Sequence, residues 1–269
     1  LYDLMSMDIY YSSERIENIG SKVSLPEEWT RMETNHPDVP PVFVINGQVP
    51  EVSLGSSVGS FFVDKNDGPG WNYVMYFRLS KAVAEQLKDP ESASPSVRLL
   101  LRYCQEAHKG NAYADPNSEW YGRFKVVPIV DNLESLNLPA FINGYNAKPA
   151  LIAKCGKFFK NEGKPYMGFD ANVHAFGGVA RSALGVIDME DMIMQWGVCI
   201  ESREEEEMPE TLIGANCLVH ALNDHAVYWQ DWGGEGTIRN QTLGCRRKRQ
   251  RKRAAMRRSS RSTSRSSFS

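Results

Sequence analysis

The sequence predicts an α+β domain, a mostly antiparallel sheet with two or three helices packed on one face, followed by a disordered basic tail. Three observations carry that expectation. Short apolar or alternating runs recur along residues 1–228, most of them separated by hairpin-length stretches rich in Gly, Pro, Asn or Ser. Two stretches, after Ser94 and after Gly178, instead space their apolar residues as a helix does. From residue 229 the chain turns Gly-rich and then Arg/Ser-rich, with too little apolar surface to offset the entropy of ordering.

Tyr2 to Tyr11 alternates as an opening strand, with Leu4, Met5, Met7 and Ile9 offering apolar surface. Ser13, Ile16 and Ile19 suggest a short helix ended near Gly20, and three prolines make Pro26 to Pro41 a loop. Val42 to Val49 is an apolar run stopped by Pro50, as expected of a buried strand. A brief strand at Phe61–Val63 and the turn Lys65-Asn-Asp-Gly-Pro-Gly70 precede an alternating strand from Trp71 to Leu79. Ser94 or Ser96 caps a helix whose stripe is Val97, Leu100, Leu101 and Cys104. Trp120 to Val130 is a strand in which Pro128 marks a bulge or an edge. Strands follow at Phe141–Asn143, Ala150–Lys154, Phe158–Phe159 and Tyr166–Val173. After them come a helix opened by Gly177-Gly178, a strand from Met192 to Glu201 and an apolar segment from Leu212 to Leu222.

The chain has 269 residues, 42% of them apolar, enough for one substantial core. Its net charge of −2 hides a segregation. Eleven of the 31 basic residues lie in 246–269, where there is no acid, which leaves twenty against 33 acids and a body near −13. Attraction to nucleic acid or anionic lipid is therefore expected in the tail. No apolar run reaches the ~18–20 residues of a spanning helix, and the N-terminus has no signal-peptide pattern. Since it begins at Leu1 rather than Met, the sequence is expected to be part of a longer chain. Five cysteines (Cys104, Cys155, Cys199, Cys217, Cys245), odd in number and never in a Cys-x-x-Cys pair, suit reduced thiols in a cytoplasmic protein.

Five signatures stand in fixed order: Val44-Ile-Asn-Gly-Gln-Val-Pro50, Arg123-Phe-Lys-Val-Val-Pro128, Lys148-Pro-Ala-Leu-Ile152, Tyr166-Met-Gly-Phe-Asp170 and Met208-Pro-Glu-Thr-Leu-Ile-Gly214. On these the chain, from about Tyr2 to about His220, resembles the C-terminal domain of the plant protein enhanced disease resistance two. Relatives of that protein carry pleckstrin-homology and START lipid-binding modules beside this domain. The resemblance therefore implies a non-enzymatic regulatory role at membranes within a larger lipid-binding protein. It also places acids in the family where this chain has Gly168 and Asn172, and small hydroxyl residues around Ala175-Phe176-Gly177.

Candidate ligand-binding residues follow from spacing. Arg123 and Lys125, two apart on a strand, leave one face and present two cations to an anion such as a phosphate head group, or pair with carboxylates of the acidic body. Asn46 and Gln48 also share a face and either hold a polar head group or satisfy neighbouring backbone groups. Lys148 and Tyr166 belong to the signatures and complete the set. Tyr166 with Asp170 is the one acid-base pairing, without a nucleophile at defined spacing, so a lipid-directed hydrolase or transferase is the alternative. Gly177-Gly178 lacks the nucleotide-loop pattern, His174, His220 and His225 lack metal-ligand spacing, and Asp188 to Asp191 is not a calcium loop, so no metal or cofactor is expected. The run Glu204 to Glu207 reads as a solvated turn.

The tail's Arg246, Arg247, Lys248, Arg249, Arg251, Lys252 and Arg253 have the composition of a nuclear import signal. They would equally bind RNA or anionic lipid with steep salt dependence, and untranslated sequence read as coding would look the same. Expected partners are thus a lipid or anionic membrane surface, neighbouring lipid-binding domains, and an import receptor or RNA through the tail. The expected location is cytoplasmic and peripheral on endomembranes, or nuclear through the tail.

Overall fold

The computed structural model describes residues 1–31, 36–51, 67–136, 143–144, 146–160, 163–176, 191–219 and 226–229. Backbone contacts divide the chain between Ile238 and Arg239, and every described residue lies in the first unit. Phe61–Val63, the helix expected after Gly177-Gly178, His220, His225 and the Arg246–Arg253 run lie outside the described residues.

In chain order the strands are β1 Tyr2–Ser12, β2 Val42–Pro50, β3 Gly70–Leu79, β4 Phe124–Val130, β5 Ala150–Leu151, β6 Gly156–Lys160, β7 Tyr166–Asn172, β8 Ile193–Ile200, β9 Leu212–Val219 and β10 Val227–Tyr228. The α-helices are α1 Glu27–Thr30, α2 Lys81–Gln86 and α3 Pro95–Glu106. The predicted class, mostly antiparallel α+β with helices, is observed, but its strands divide into two sheets. A six-stranded sheet has the order β10-β1-β3-β2-β7-β6, and a four-stranded sheet the order β5-β4-β8-β9. Two pairings in the larger sheet, β2 with β7 and β1 with β10, are parallel.

The first half of β2, Val42 to Ile45, is an unbroken apolar run because both of its faces are covered. Phe43 and Ile45 join Met75, Phe77, Met167 and Phe169 in the main core, which also takes in α2, α3 and the inner face of the smaller sheet. Aromatic rings knit the two sheets: Phe124 stacks on Phe169 at 3.9 Å between centroids, and Phe77 meets Trp196 edge-on at 6.5 Å. On the opposite face of β2, Val42 and Val44 join Tyr10, Val74, Tyr76 and Tyr166 in a second core. The segment from Ser13 to Thr30 closes it with Ile16, Ile19 and Trp29.

Several expectations change. Ser13 to Gly20 forms no α-helix; a single 3-10 turn, Ile19–Ser21, lays Ile16 and Ile19 onto the sheet. Leu4 and Met5 are exposed, because β1 shifts register between Leu4 and Ser6 and has β10 beside it only at Tyr10 and Tyr11. Helix α2 has a capping signal the sequence reading passed over: the Ser80 hydroxyl accepts the Val83 N–H at 3.3 Å. In α3 the buried stripe is Val97, Leu99, Leu100, Tyr103 and Cys104, with Leu101 only partly covered. Strand β4 begins at Phe124 rather than Trp120, since Gly122 takes a left-handed turn (φ 59°) against Ala153. Pro128 does sit on an edge: β5 pairs only with Lys125 and Val126, and beyond them the Pro128 carbonyl accepts from Ala147.

Candidate functional site

Two polar constellations are built into this frame, one in each sheet. The first joins β4 to the residues between β8 and β9. Arg123 is 2% exposed, and its guanidinium donates to the Glu207 carboxylate, donates through Nε to the Glu201 carbonyl at 3.1 Å, and lies 5.0 Å over the Trp120 ring. Glu207 also accepts from Arg102 Nη1 at 3.2 Å and from the backbone N–H of Arg203 at 2.8 Å. Burial pushes the Glu207 carboxyl up, but the Arg203 N–H and the Arg123 guanidinium outweigh it and hold the group below its ordinary range. Lys125, on the outer face of β4, reaches Glu210 at 2.6 Å and Glu201 at 3.5 Å. Burial pulls its ammonium down, and Glu210 more than offsets this, so Lys125 stays above its ordinary value.

Arg123 and Lys125 therefore do not present free cations to an anion; both pair with carboxylates of the same chain. Nor is Glu204 to Glu207 wholly a solvated turn. Glu204 caps the short 3-10 turn Glu205–Glu207, and Glu207 points inward, 4% exposed, as the counter-ion of Arg123. Four acids in a row gave no sign of which one turns in.

The second constellation is a polar layer at one end of the larger sheet, beneath the covering segment. Ser12, Asn46, Gln48, Asn72, Asp170 and His174 are all buried. Both predicted amides donate to one backbone carbonyl, that of Ile16: Gln48 Nε2 at 2.9 Å and Asn46 Nδ2 at 3.2 Å. Asn46 Nδ2 also donates to Asn72 Oδ1 at 3.2 Å, and Arg15 Nη1 donates to Gln48 Oε1 at 3.3 Å. Arg15 is tied in turn to Asp67, which accepts its backbone N–H at 2.7 Å.

Tyr166 and Asp170, four apart on β7, share a face, and both address Asn18: Asp170 Oδ2 accepts its N–H at 2.8 Å, and the Tyr166 hydroxyl lies 3.4 Å from its Oδ1. Asn18 is left-handed (φ 49°), a conformation Asn tolerates better than most residues, and that bend aims its N–H at Asp170. Burial pushes the Asp170 carboxyl up to about 7, against the pull of the Asn18 N–H, while Glu17 adds to the rise.

The structure thus brings Asn46, Gln48, Tyr166 and Asp170 together, and separately Arg123 with Lys125. It does not unite the two groups: the first is built on β4 of the smaller sheet, the second on β2, β3 and β7 of the larger one. Lys148 is exposed just before β5 and belongs to neither. Among the described residues no group of three or more His, Cys, Asp and Glu could hold a metal ion. Sequence reasoning missed Ser12, Arg15, Asn18, Asn72 and Glu207. Asn72 left one trace, since it shares strand parity with the inward Val74 and Tyr76.

The five signatures are also where these joints are made. Val44–Pro50 and Tyr166–Asp170 are the adjacent parallel strands β2 and β7, with Asn46 opposite Asp170. Arg123–Pro128 is β4, Lys148–Ile152 carries β5 beside it, and Met208–Gly214 supplies Glu210 and leads into β9. No curated protein and no solved structure matches the chain. The family model described as protein ENHANCED DISEASE RESISTANCE 2, C-terminal, matches residues 1–221. The chain belongs to that family of C-terminal domains.

Proposed function

We propose that this chain is a non-enzymatic regulatory domain that acts at membranes as part of a larger lipid-binding protein. The observation that carries the reading is a contrast between its polar and apolar groups. Arg123, Lys125, Asn46, Gln48 and Tyr166, the side chains a catalytic or head-group cleft would use, are each engaged by partners within the fold. Large apolar side chains stand outward instead: Leu151, Leu212 and Val219 of the smaller sheet are about half exposed, at 50, 45 and 55%. Such a face suits contact with lipid chains or with a neighbouring lipid-binding domain better than it suits a reaction. Among the described residues no helix is long and apolar enough to cross a membrane, which is compatible with peripheral attachment. The basic run Arg246 to Arg253 supports a second contact, with anionic lipid, RNA or an import receptor.

Lipids recovered with the full chain from cells and identified by mass spectrometry test the reading. Flotation with phosphatidylcholine vesicles, with and without phosphatidylserine, tests it independently. Expected are enrichment of one lipid class and flotation that weakens when Leu212 and Val219 are both replaced by Ser. Recovery of no lipid and no flotation on either vesicle would leave contact with other domains as the role. Turnover of a recovered lipid by the pure chain would favour the hydrolase or transferase alternative.

A further inference from the structure

Asn216 stands apart from both polar constellations. It lies on the inner face of the smaller sheet, flanked on β9 by Gly214 and Leu218 and opposite Trp196 on β8. The residue is 9% exposed, and its Nδ2 and Oδ1 are both shut off from solvent without a hydrogen-bond partner among the described residues. Because donor and acceptor are both unmet, exchanging them by flipping the amide changes nothing. Asparagine is also a poor strand former, and it is the one amide or charged side chain in Leu212–Val219. An aliphatic residue of similar size would suit the fold better on both counts, so this amide is an unused binding group inside the domain.

The strand's path shows what it faces. The Leu1 ammonium donates to the Leu212 carbonyl at 2.8 Å, and a Cβ on Gly214 would lie 2.7 Å from the Phe77 ring. Phe77 is the register partner of Leu4, so β9 begins beside the start of β1 and runs along it. That course carries Asn216 and Leu218 toward Met7 and Ile9, which pair with Met75 and Tyr73 of β3. At the Gly214 end the two sheets close tightly, with Phe77 and Val198 fully buried. Farther along the cover thins. Met7, Ile9 and Trp71 of the larger sheet and Met194 of the smaller pack on the main core but are only partly covered. Asn216 sits between the closed end and this incompletely covered apolar stretch.

We propose that the two sheets bind a neutral lipid between their inner faces, with its hydroxyl on the Asn216 amide and its hydrocarbon along Met7, Ile9 and Met194. A hydroxyl is the smallest group that accepts and donates at once, so a single one takes the Nδ2 proton and gives its own to Oδ1. A carboxylate or phosphate only accepts and would leave Oδ1 unmet. Among the described residues, the inward side chains of β8 and β9 and those they face on β1 and β3 include no cation to offset the burial of an anion. The hydrocarbon would remove from water apolar surface that the protein leaves half covered. This goes beyond the membrane-contact reading and does not depend on it: that contact uses the outward Leu212 and Val219, and this one uses the opposite face of the same strand.

Soluble probes of one chain length test the site on the full chain without vesicles. 1-Decanol donates and accepts, decyl methyl ether only accepts, and decanoate at pH 8 is an anion. Calorimetry measures their affinities, and NMR follows the Asn216 side-chain amide. Decanol should saturate at one per chain, shift that amide, and bind about tenfold tighter than the ether or the anion. In Asn216→Leu the alcohol and the ether should bind alike. Absence of saturable decanol binding, an Asn216 amide unmoved at saturation, or a preference for the alcohol that survives Asn216→Leu would overturn the proposal. So would a water contact to the Asn216 amide that persists at saturating decanol, since the amide would then belong to a buried water. The wild-type amide shift and the alcohol-to-ether ratio decide the matter even if the variant folds poorly. Loss of vesicle flotation with decanol binding retained would count against the membrane reading alone.

Discussion

Replacing Glu207 by Ala should be among the most damaging single changes in this domain, although the residue sits in a run of four acids. The side chains of Arg123 and Glu207 are 2% and 5% exposed, so removing the carboxylate leaves a guanidinium in the interior without a counter-ion. Breaking a buried pair in this way costs about 3–5 kcal/mol. Glu207 also accepts from the Arg203 N–H and from Arg102, bonds that tie its loop to the fold and to α3, so the upper half of that range is expected. In a domain of this size each kcal/mol lowers Tm by roughly 2–4 °C, which puts the loss near ~10–15 °C. Glu205→Ala and Glu206→Ala, whose side chains are exposed, should stay within about 0.5 kcal/mol of wild type. Urea denaturation followed by tryptophan fluorescence, run as a double-mutant cycle with Arg123→Met, measures the coupling. The double variant should recover about 2 kcal/mol or more of the single loss, because an apolar side chain over Trp120 needs no counter-ion. Equal, small effects for Glu205, Glu206 and Glu207, with no coupling to Arg123, would refute the assignment of Glu207 as an interior counter-ion.

Other outcomes follow from the same geometry. The Glu207 carboxyl is held below its ordinary value, so its contribution is present above that value and is lost as pH falls through the lower one. Acid unfolding of Glu207→Gln should accordingly be shallower at its most acidic end, as read by circular dichroism. Gly122→Ala should destabilise by at least ~1–3 kcal/mol in thermal melts, since φ there is 59° and the new Cβ would lie 2.5 Å from that of Ala153. Under native conditions an alkylating reagent with mass-spectrometric mapping should label the exposed Cys217 well before Cys104, which is buried and whose thiol is pushed up to about 12 by that burial. Replacing the seven basic residues from Arg246 to Arg253 by Gln should strongly reduce the salt-sensitive part of binding to phosphatidylserine vesicles and leave any salt-insensitive part unchanged.

The strands were legible where a residue's neighbours in sequence determine its face, and the site was legible only as far as that parity reaches. Strands β2, β3, β7, β8 and β9 are nearly where alternation and apolar runs place them, because both describe a backbone whose side chains alternate every residue. The same rule put Asn46 with Gln48 and Tyr166 with Asp170 on common faces. What it cannot supply is the partner across space. Asn46 and Asp170 are opposite one another through a parallel pairing of strands more than a hundred residues apart, and Arg123 meets Glu207 across 84 residues. The division into two sheets escaped for a related reason, since β4 and β8 look like any other strands until Phe124 is found stacked on Phe169.

Residue type misled in the same places. Arginine, lysine and asparagine read as ligand-binding residues because most such side chains face water, and here the fold turns several of them inward. An inward polar residue needs a donor or an acceptor supplied by a distant segment, so each one is at once a joint of the fold and a blind spot of the sequence. That is why the family's signatures, which look like fragments of a binding site when read in a line, become in three dimensions the joints between β2 and β7, β4 and β5, and β4 and the approach to β9.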